Sequence, residues 1–510
     1  MRVTAAGLLL LLVPAAFPQE AAAPLPPAPV RVVIPDVAAF DAALTGAYRR
    51  ALRGDPSPGD AVTADWRLTP VGSKLERQWS LFAAHLPWTW DEILKLEPRS
   101  AGLALLSVGS LEAVLVLDTP VAALPISPPA GVARAHGGVT YHLVAPGAGD
   151  ASPDPERRMG LAWARSASWL FLASSERALL LALDTARAGS GARPPLPGLL
   201  AVELDMDALR ADPYFRREFL FGDGGDEGRV LAALRIEDGR LVEVREGRGE
   251  VGPPGVTFDA PGVAAGWEPD GAGLWPALRS ALLDPVPSPP QKPVPPLAPL
   301  PPVAGPAGGD RYLVNFERPP FAGRAEAGEE GDLALWRGLW ARHQPAGWGF
   351  AIGADLSRRI VFEWPAALDP ELERVCRATV ERRGGPAAVV PVGDARELRV
   401  GPALPALALK RRGDFVWMAA HAAALEDAPT PRRSPDLLRW ARSDLRAIRA
   451  EAARWERAEG PPAPERVRPF SDRILGLLGW MPTTTSLSVE RRRTADGSGW
   501  TERVVFGTAE

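Results

Sequence analysis

Hydrophobic positions between Met159 and Ala188, MGLAWARSASWLFLASSERALLLALDTARA, change period partway along. Apolar residues at 160–164 and 169–173 flank the polar stretch Arg165-Ser166-Ala167-Ser168, a pattern that predicts two short strands joined by a turn. Ser174 and Ser175 then stand where an N-cap belongs, and residues 176–187 place Leu179, Leu180, Leu183 and Ala186 on one helical face. A helix of this length is marginal alone in water, so its leucine face must pack on the preceding hairpin.

This plan returns later in the chain. LALKRRGDFVWMAAHAAAL at 407–425 lies under LAWARSASWLFLASSERAL at 161–179 without a gap, matching Arg165 to Arg411, Trp169 to Phe415, Phe171 to Trp417 and Ser175 to His421. GWGFAIGADLSRRIVFEWP at 347–365 lies under GLALLSVGSLEAVLVLDTP at 102–120, matching Val116 to Val361 and Pro120 to Pro365. The two matches keep their order and, to within one residue, their separation. Such recurrence predicts two versions of one domain. The expected fold class is therefore α+β: two related domains at 31–256 and 257–510, each a mainly antiparallel sheet with helices packed on one face.

Several further elements follow from the same reading. Helices are expected at 37–52, 206–219, 267–283, 333–340, 371–382 and 437–457, the last from a stripe of Leu438, Ala441, Leu445, Ile448 and Ala452. Hairpins are expected at 103–117, around Asp238-Gly239, at 348–364, and across 486–506 around Asp496-Gly497. Residues 139–145 read as one strand. Residues 23–30, APLPPAPV, read as an extended tether, and the prolyl run at 286–306 as a stiff loop of the second domain.

The start of the chain changes the picture from fold to location. Met1-Arg2-Val3-Thr4 is positively charged, Leu8–Leu12 is an unbroken leucine core, and small residues follow at 15–23, so residues 1–22 read as a signal peptide. That places the mature chain outside the cytoplasm, periplasmic or secreted, with no transmembrane span. Cys376 is the sole cysteine, so no internal disulfide is expected. A net charge of -4 over 510 residues gives no general attraction to nucleic acid.

Chemistry is sparse. There is no HExxH, CxxC, GxSxG or phosphate-loop motif, and the five histidines lack metal-ligand spacing, so neither a metal nor a cofactor is expected. One nucleophilic constellation is conceivable: Ser174 or Ser175 at the strand-to-helix step as nucleophile, His142 as base and Asp118 as its orienting acid, giving an exported serine hydrolase. Helix capping explains the same serines without catalysis.

On the paired hairpins GLALLSVGSLEAVLVLDTP and MGLAWARSASWLFLASSERALLLAL, the chain resembles a loosely defined group of bacterial exported proteins of unknown function. In that group a strand, a stretch around a tyrosine such as 138–144, and a strand ending in an alanine-serine-serine step before a helix recur. The resemblance implies no catalytic residues. The expectation is a non-catalytic exported binding or envelope-associated protein, with an envelope protein, a peptide or a glycan as partner.

Overall fold

The computed structural model describes residues 23–43, 95–107, 112–120, 131–144, 161–191, 196–212, 228–248, 251–269, 334–336, 338–339, 342–343, 345, 347–353, 358–400, 404–444, 447 and 484–508. The expected signal peptide at 1–22, the prolyl run at 286–306 and most of the second half of the expected 437–457 helix lie outside these residues.

Ten strands come from the first part of the chain: β1 (Val30–Ile34), β2 (Ser100–Ser107), β3 (Glu112–Asp118), β4 (Val132–His136), β5 (Val139–Val144), β6 (Leu161–Ser166), β7 (Trp169–Ala173), β8 (Leu200–Asp205), β9 (Arg229–Glu237) and β10 (Arg240–Arg248). After the short β11 (Gly255–Thr257) come β12 (Ala264–Glu268), β13 (Trp348–Ile352), β14 (Arg358–Glu363), β15 (Ala387–Val392), β16 (Ala395–Val400), β17 (Leu404–Arg412), β18 (Phe415–Ala419), β19 (Arg432–Ser434), β20 (Leu437–Asp444), β21 (Thr484–Arg493) and β22 (Gly499–Thr508). The helices are α1 (Glu176–Arg187), α2 (Met206–Ala211) and α3 (Asp369–Gly384), with further helical residues at 37–43, 334–336, 338–339 and 342–343.

All strands except β11 and β19 join one 20-stranded sheet whose pairings are antiparallel. Its lateral order, followed through the pairings, begins β4-β5-β6-β7-β3-β2-β1-β8-β9-β10. It continues β22-β21-β20-β12-β13-β14-β18-β17-β16-β15. Counted inward from either end, the succession of hairpins and crossovers is the same. The sheet therefore has two ten-strand units that meet where β10 pairs with β22.

Register carries the likeness down to residues. Ser166 faces Trp169 across the β6–β7 turn as Arg412 faces Phe415 across the β17–β18 turn. In the preceding hairpin the match holds on one strand only: Val116 and Val361 correspond, but they face Gly102 and Gly349, so the gapless alignment that set Gly102 over Gly347 is corrected by two residues, the second hairpin being that much shorter. Both glycines are sites of close approach: a Cβ on Gly102 would meet the Leu25 side chain at 2.9 Å, and one on Gly349 would meet Phe258 and Val361 at 2.8 Å.

Side chains alternate between the two faces of a strand, so each unit has apolar contacts on both sides. In the first, α1 sets Leu179 and Leu183 against Val114, Val116, Tyr141 and Phe171, while Leu115, Leu117, Leu170 and Leu172 pack on the other face with Val37 and Leu96. In the second, a single turn of 3-10 helix, Ala422–Leu425, takes the place of α1 and packs with Trp417, Val361 and Phe258. The longer α3 lies on the opposite face, with Leu372, Val375 and Cys376 against Phe362, Trp364 and Met418. The expectation of helices on one face is thus corrected: in this unit helical segments cover both.

Three other expectations are corrected. Residues 437–444, expected to be helical, form strand β20 between β12 and β21. A bulge between Leu437 and Arg439 lets consecutive leucines be buried, which breaks the period of two and mimics a helical stripe. Trp267, expected to open a helix, lies in β12 and is buried between strands. Ala23 and Leu25, read as tether, are buried, with Leu25 closing over Gly102. Strands β4, β15 and β16 carry no pattern from which they were expected.

Leu25→Ala should lower unfolding free energy by about 2–5 kcal/mol, the range for emptying a buried leucine site. Urea titration of the chain checks it, and a true tether would show no change. Gly349→Ala should cost about 1–3 kcal/mol through overpacking against Phe258 and Val361.

Candidate functional site

The serines lie where the sequence placed them, at the step from β7 into α1, and both hydroxyls are engaged. Ser174 is buried, and its Oγ accepts the Ala113 backbone N–H at 2.8 Å, stitching the end of β7 to β3. Ser175 is the N-cap of α1: its Oγ accepts the Ala178 N–H at 3.1 Å and donates to Glu112 Oε1 at 2.7 Å. In the second unit His421 does the same work, its Nδ1 accepting the Ala424 N–H at 3.2 Å. A serine and a histidine at matching positions share a capping role because each offers an acceptor to the free amides of a helical first turn.

His142 and Asp118 are not brought to these serines. Asp118 closes the far end of the β3–β7 pair opposite Trp169, where it accepts from Arg99 Nη2 at 2.7 Å. Ala173, next to Ser174, faces Val114, four residue steps along β3 from Asp118, so the two ends lie roughly 13 Å apart. His142 lies on β5, two strands from β7, and stacks on Trp163 with ring centroids 4.2 Å apart. The structure thus assembles none of the three-residue relay.

Cys376 is buried in α3, and burial pushes its thiol up, away from the nucleophilic thiolate. Among the described residues no group of three or more His, Cys, Asp or Glu side chains is placed to hold a metal ion. No described helix is long and apolar enough to cross a membrane, which leaves membrane strands unaddressed.

Polar clusters that the sequence did not reveal lie elsewhere. At the β4 end, Glu176 in the first turn of α1 accepts from Arg134 Nη1 at 2.8 Å and from the Tyr141 hydroxyl. Those bonds hold its carboxyl below the ordinary value, while the Tyr141 phenol is raised by its bond to Glu176 and by burial. Next to it His136 Nε2 lies 2.8 Å from Asp184. The edge strand β4 is thereby fastened to α1 by side chains as well as to β5 by backbone.

The most deeply buried cluster sits between the two units. Glu502 on β22, 1% exposed, accepts from Arg491 Nε at 2.9 Å and Arg245 Nη1 at 3.0 Å, with Arg439 Nη1 at 3.6 Å. Arg245 also binds Glu243, which is 2% exposed on β10. The Arg491 guanidinium stacks 3.7 Å from the centroid of Trp500, whose indole in turn lies over Gly247, where a Cβ would come within 2.4 Å of the ring. Burial alone would raise the Glu502 carboxyl, but Arg491, Arg245 and Arg439 outweigh it and bring it down to about 2. No local motif announces this cluster, because its members come from four strands.

Two measurements follow. Ser175→Ala should cost about 0.5–2 kcal/mol of stability through the lost cap, without abolishing any stoichiometric labelling by a fluorophosphonate probe. Glu502 is held below its ordinary 4.5, so its contribution is complete above that pH and is lost as pH falls from 4.5 towards 2. Glu502→Gln should cost about 3–5 kcal/mol at pH 7 and flatten the stability profile in that acid window, as read by urea titrations across pH.

No protein-family model matches the chain, and no curated protein does. Among solved structures, crystal form I of TP0453 is similar at 11% identity over 46% of this chain and 79% of that chain, with a TM-score of 0.23. Crystal form IV of TP0453 is similar at the same identity and TM-score, over 45% of this chain and 80% of that chain. A likeness at that score carries no argument about function.

Proposed function

We propose that the chain is an exported, non-catalytic binding protein made of two copies of one α+β unit. In this reading it binds an extended peptide segment of another envelope protein by adding that segment to the sheet at β4. The charged start and leucine core at 1–22 support export. The common strand order and the matched registers of Gly102 with Gly349 and Trp169 with Phe415 support duplication.

The observation that carries the binding reading is a difference between the two ends of the sheet. Each end is a hairpin with a two-residue turn, Gly137-Gly138 after β4 and Gly393-Asp394 after β15. In such hairpins the residue just before the closing pair turns its backbone N–H away from its partner strand, toward any added strand. That residue is Pro391 in β15 and Ala135 in β4. Proline has no N–H to give, so the β15 edge is blunted against further pairing, whereas β4 keeps its donor. Val132, at the start of β4, is 65% exposed, and the small Ala133 and Ala135 leave room on their face for larger side chains of an incoming strand. Among the described residues no strand pairs with the outer side of β4. Main-chain bonds then supply affinity, and alternate side chains supply selectivity.

A photo-crosslinking residue at Ala133 in the exported chain should give a discrete adduct in the envelope, lost in Ala135→Pro, which copies the guard of β15. The same probe at Val390 should give none. Equal adducts at both edges, or none at β4, would sink the proposal. Edman sequencing of the mature chain tests export separately: an intact Met1 would overturn it.

A further inference from the structure

Extending the two-copy reading, we infer that the β10–β22 seam is a separable interface between two units that fold on their own, with buried charge choosing which edge meets which. The two strands pair over eight positions, from Leu241 opposite Phe506 to Arg248 opposite Gly499. Each is the last strand of its unit in the lateral order.

Pairing inside each unit shows which seam residues correspond. Glu243 faces Leu234, which faces Leu200; Glu502 faces Arg491, which faces Arg439. The two buried glutamates therefore occupy equivalent positions, and their neighbours differ: leucines in the first unit, arginines in the second. Across the seam Glu243 faces Val504 and Glu502 faces Arg245, so each of these pairs is carried onto the position of the other by a two-fold exchange of the units. This is the arrangement of an isologous interface, in which the same patch meets itself. It has been made unequal by Arg439 and Arg491.

The inequality has a physical consequence. Pairing β22 with another β22 in the same register would set Glu502 opposite Val504, remove Arg245, and bury two sets of Arg439 and Arg491 together. Pairing with β10 gives Glu502 its third arginine and lets Arg245 serve both carboxylates. Like-charge burial therefore works against the wrong partner while the right one is bonded, the two halves of specificity. Apolar contacts complete the surface: Leu241 and Val251 of one side lie in one cluster with Leu438, Trp500 and Phe506 of the other.

The covalent link between the units is short and accessible. Gly252 is exposed with open space at its Cα, while β11 from Gly255 onward is already tied to β19 of the second unit. A protease site placed after Gly252 in the full chain would cut between the units without removing a strand from either. The cut protein is expected to run as one species by size exclusion at micromolar concentration. With Arg245→Ala, the dissociation constant of the two pieces should rise about thirtyfold or more, the effect of truncating one partner of a buried charge pair. Each separated piece should keep a cooperative thermal transition.

Pieces that separate only as they unfold would overturn the inference, as would cut protein whose association is unchanged by both Arg245→Ala and Glu502→Gln. The β4 crosslinking assay uses the uncut chain and the opposite end of the sheet, so its failure and this one are read independently.

Discussion

A carboxylate with almost no access to water, Glu502, is the constraint on which the rest of the sheet depends. An ionised carboxyl at that depth is tolerable only when several donors surround it, and its donors come from β10, β20 and β21 together. Satisfying it therefore fixes the relative register of four strands and joins the two units at once. A slip of one residue between β10 and β22 would turn Arg245 to the other face and leave Glu502 with less positive charge around it. The apolar cluster around Trp500 and Leu241 adds driving force but less register information, because leucines tolerate sliding better than a bonded ion cluster does.

Joining the units at this seam decides where the molecule remains open. A sheet closed on itself has no edges, whereas among the described residues this one keeps two, each at the outer end of a unit. Corresponding positions on the two outer hairpins carry Pro391 and Ala135, so the two ends of the sheet differ in how they meet their surroundings while sharing one strand order. The β4 edge is also supported from behind, since Arg134 and Tyr141 bind Glu176 and His136 binds Asp184. A held edge costs little ordering entropy when a further strand is added, which favours β4 as a docking strand.

The two units differ at the strand-to-helix step as well. Ser175 caps three turns of α1, and His421 caps one turn of 3-10 helix at the matching place. The second unit carries its main helix, α3, on the other face. Fold and candidate chemistry therefore part company: the step most suggestive of a nucleophile is occupied by capping bonds in both units, and the groups that would have to assist it lie at the far end of β3 and two strands away.

Local signals in the sequence determined the hairpins around Asp238-Gly239, Asp496-Gly497 and Arg412-Gly413, the α1 helix with its cap, and the helix holding Cys376. These features rest on contacts between near neighbours: turn geometry, period and capping act within a few residues. The recurrence of two hairpins was legible for the same reason. Lateral order, the continuity of one sheet through β10 and β22, the strand at 437–444 and the burial of Leu25 were decided by tertiary structure. Each depends on partners far along the chain, and a stripe such as Leu438 and Ala441 fits a helix face until β12 and β21 claim its backbone hydrogen bonds. The buried charges were hidden by the same cause, since Arg245 and Glu502 become partners only when the ends of the two units meet.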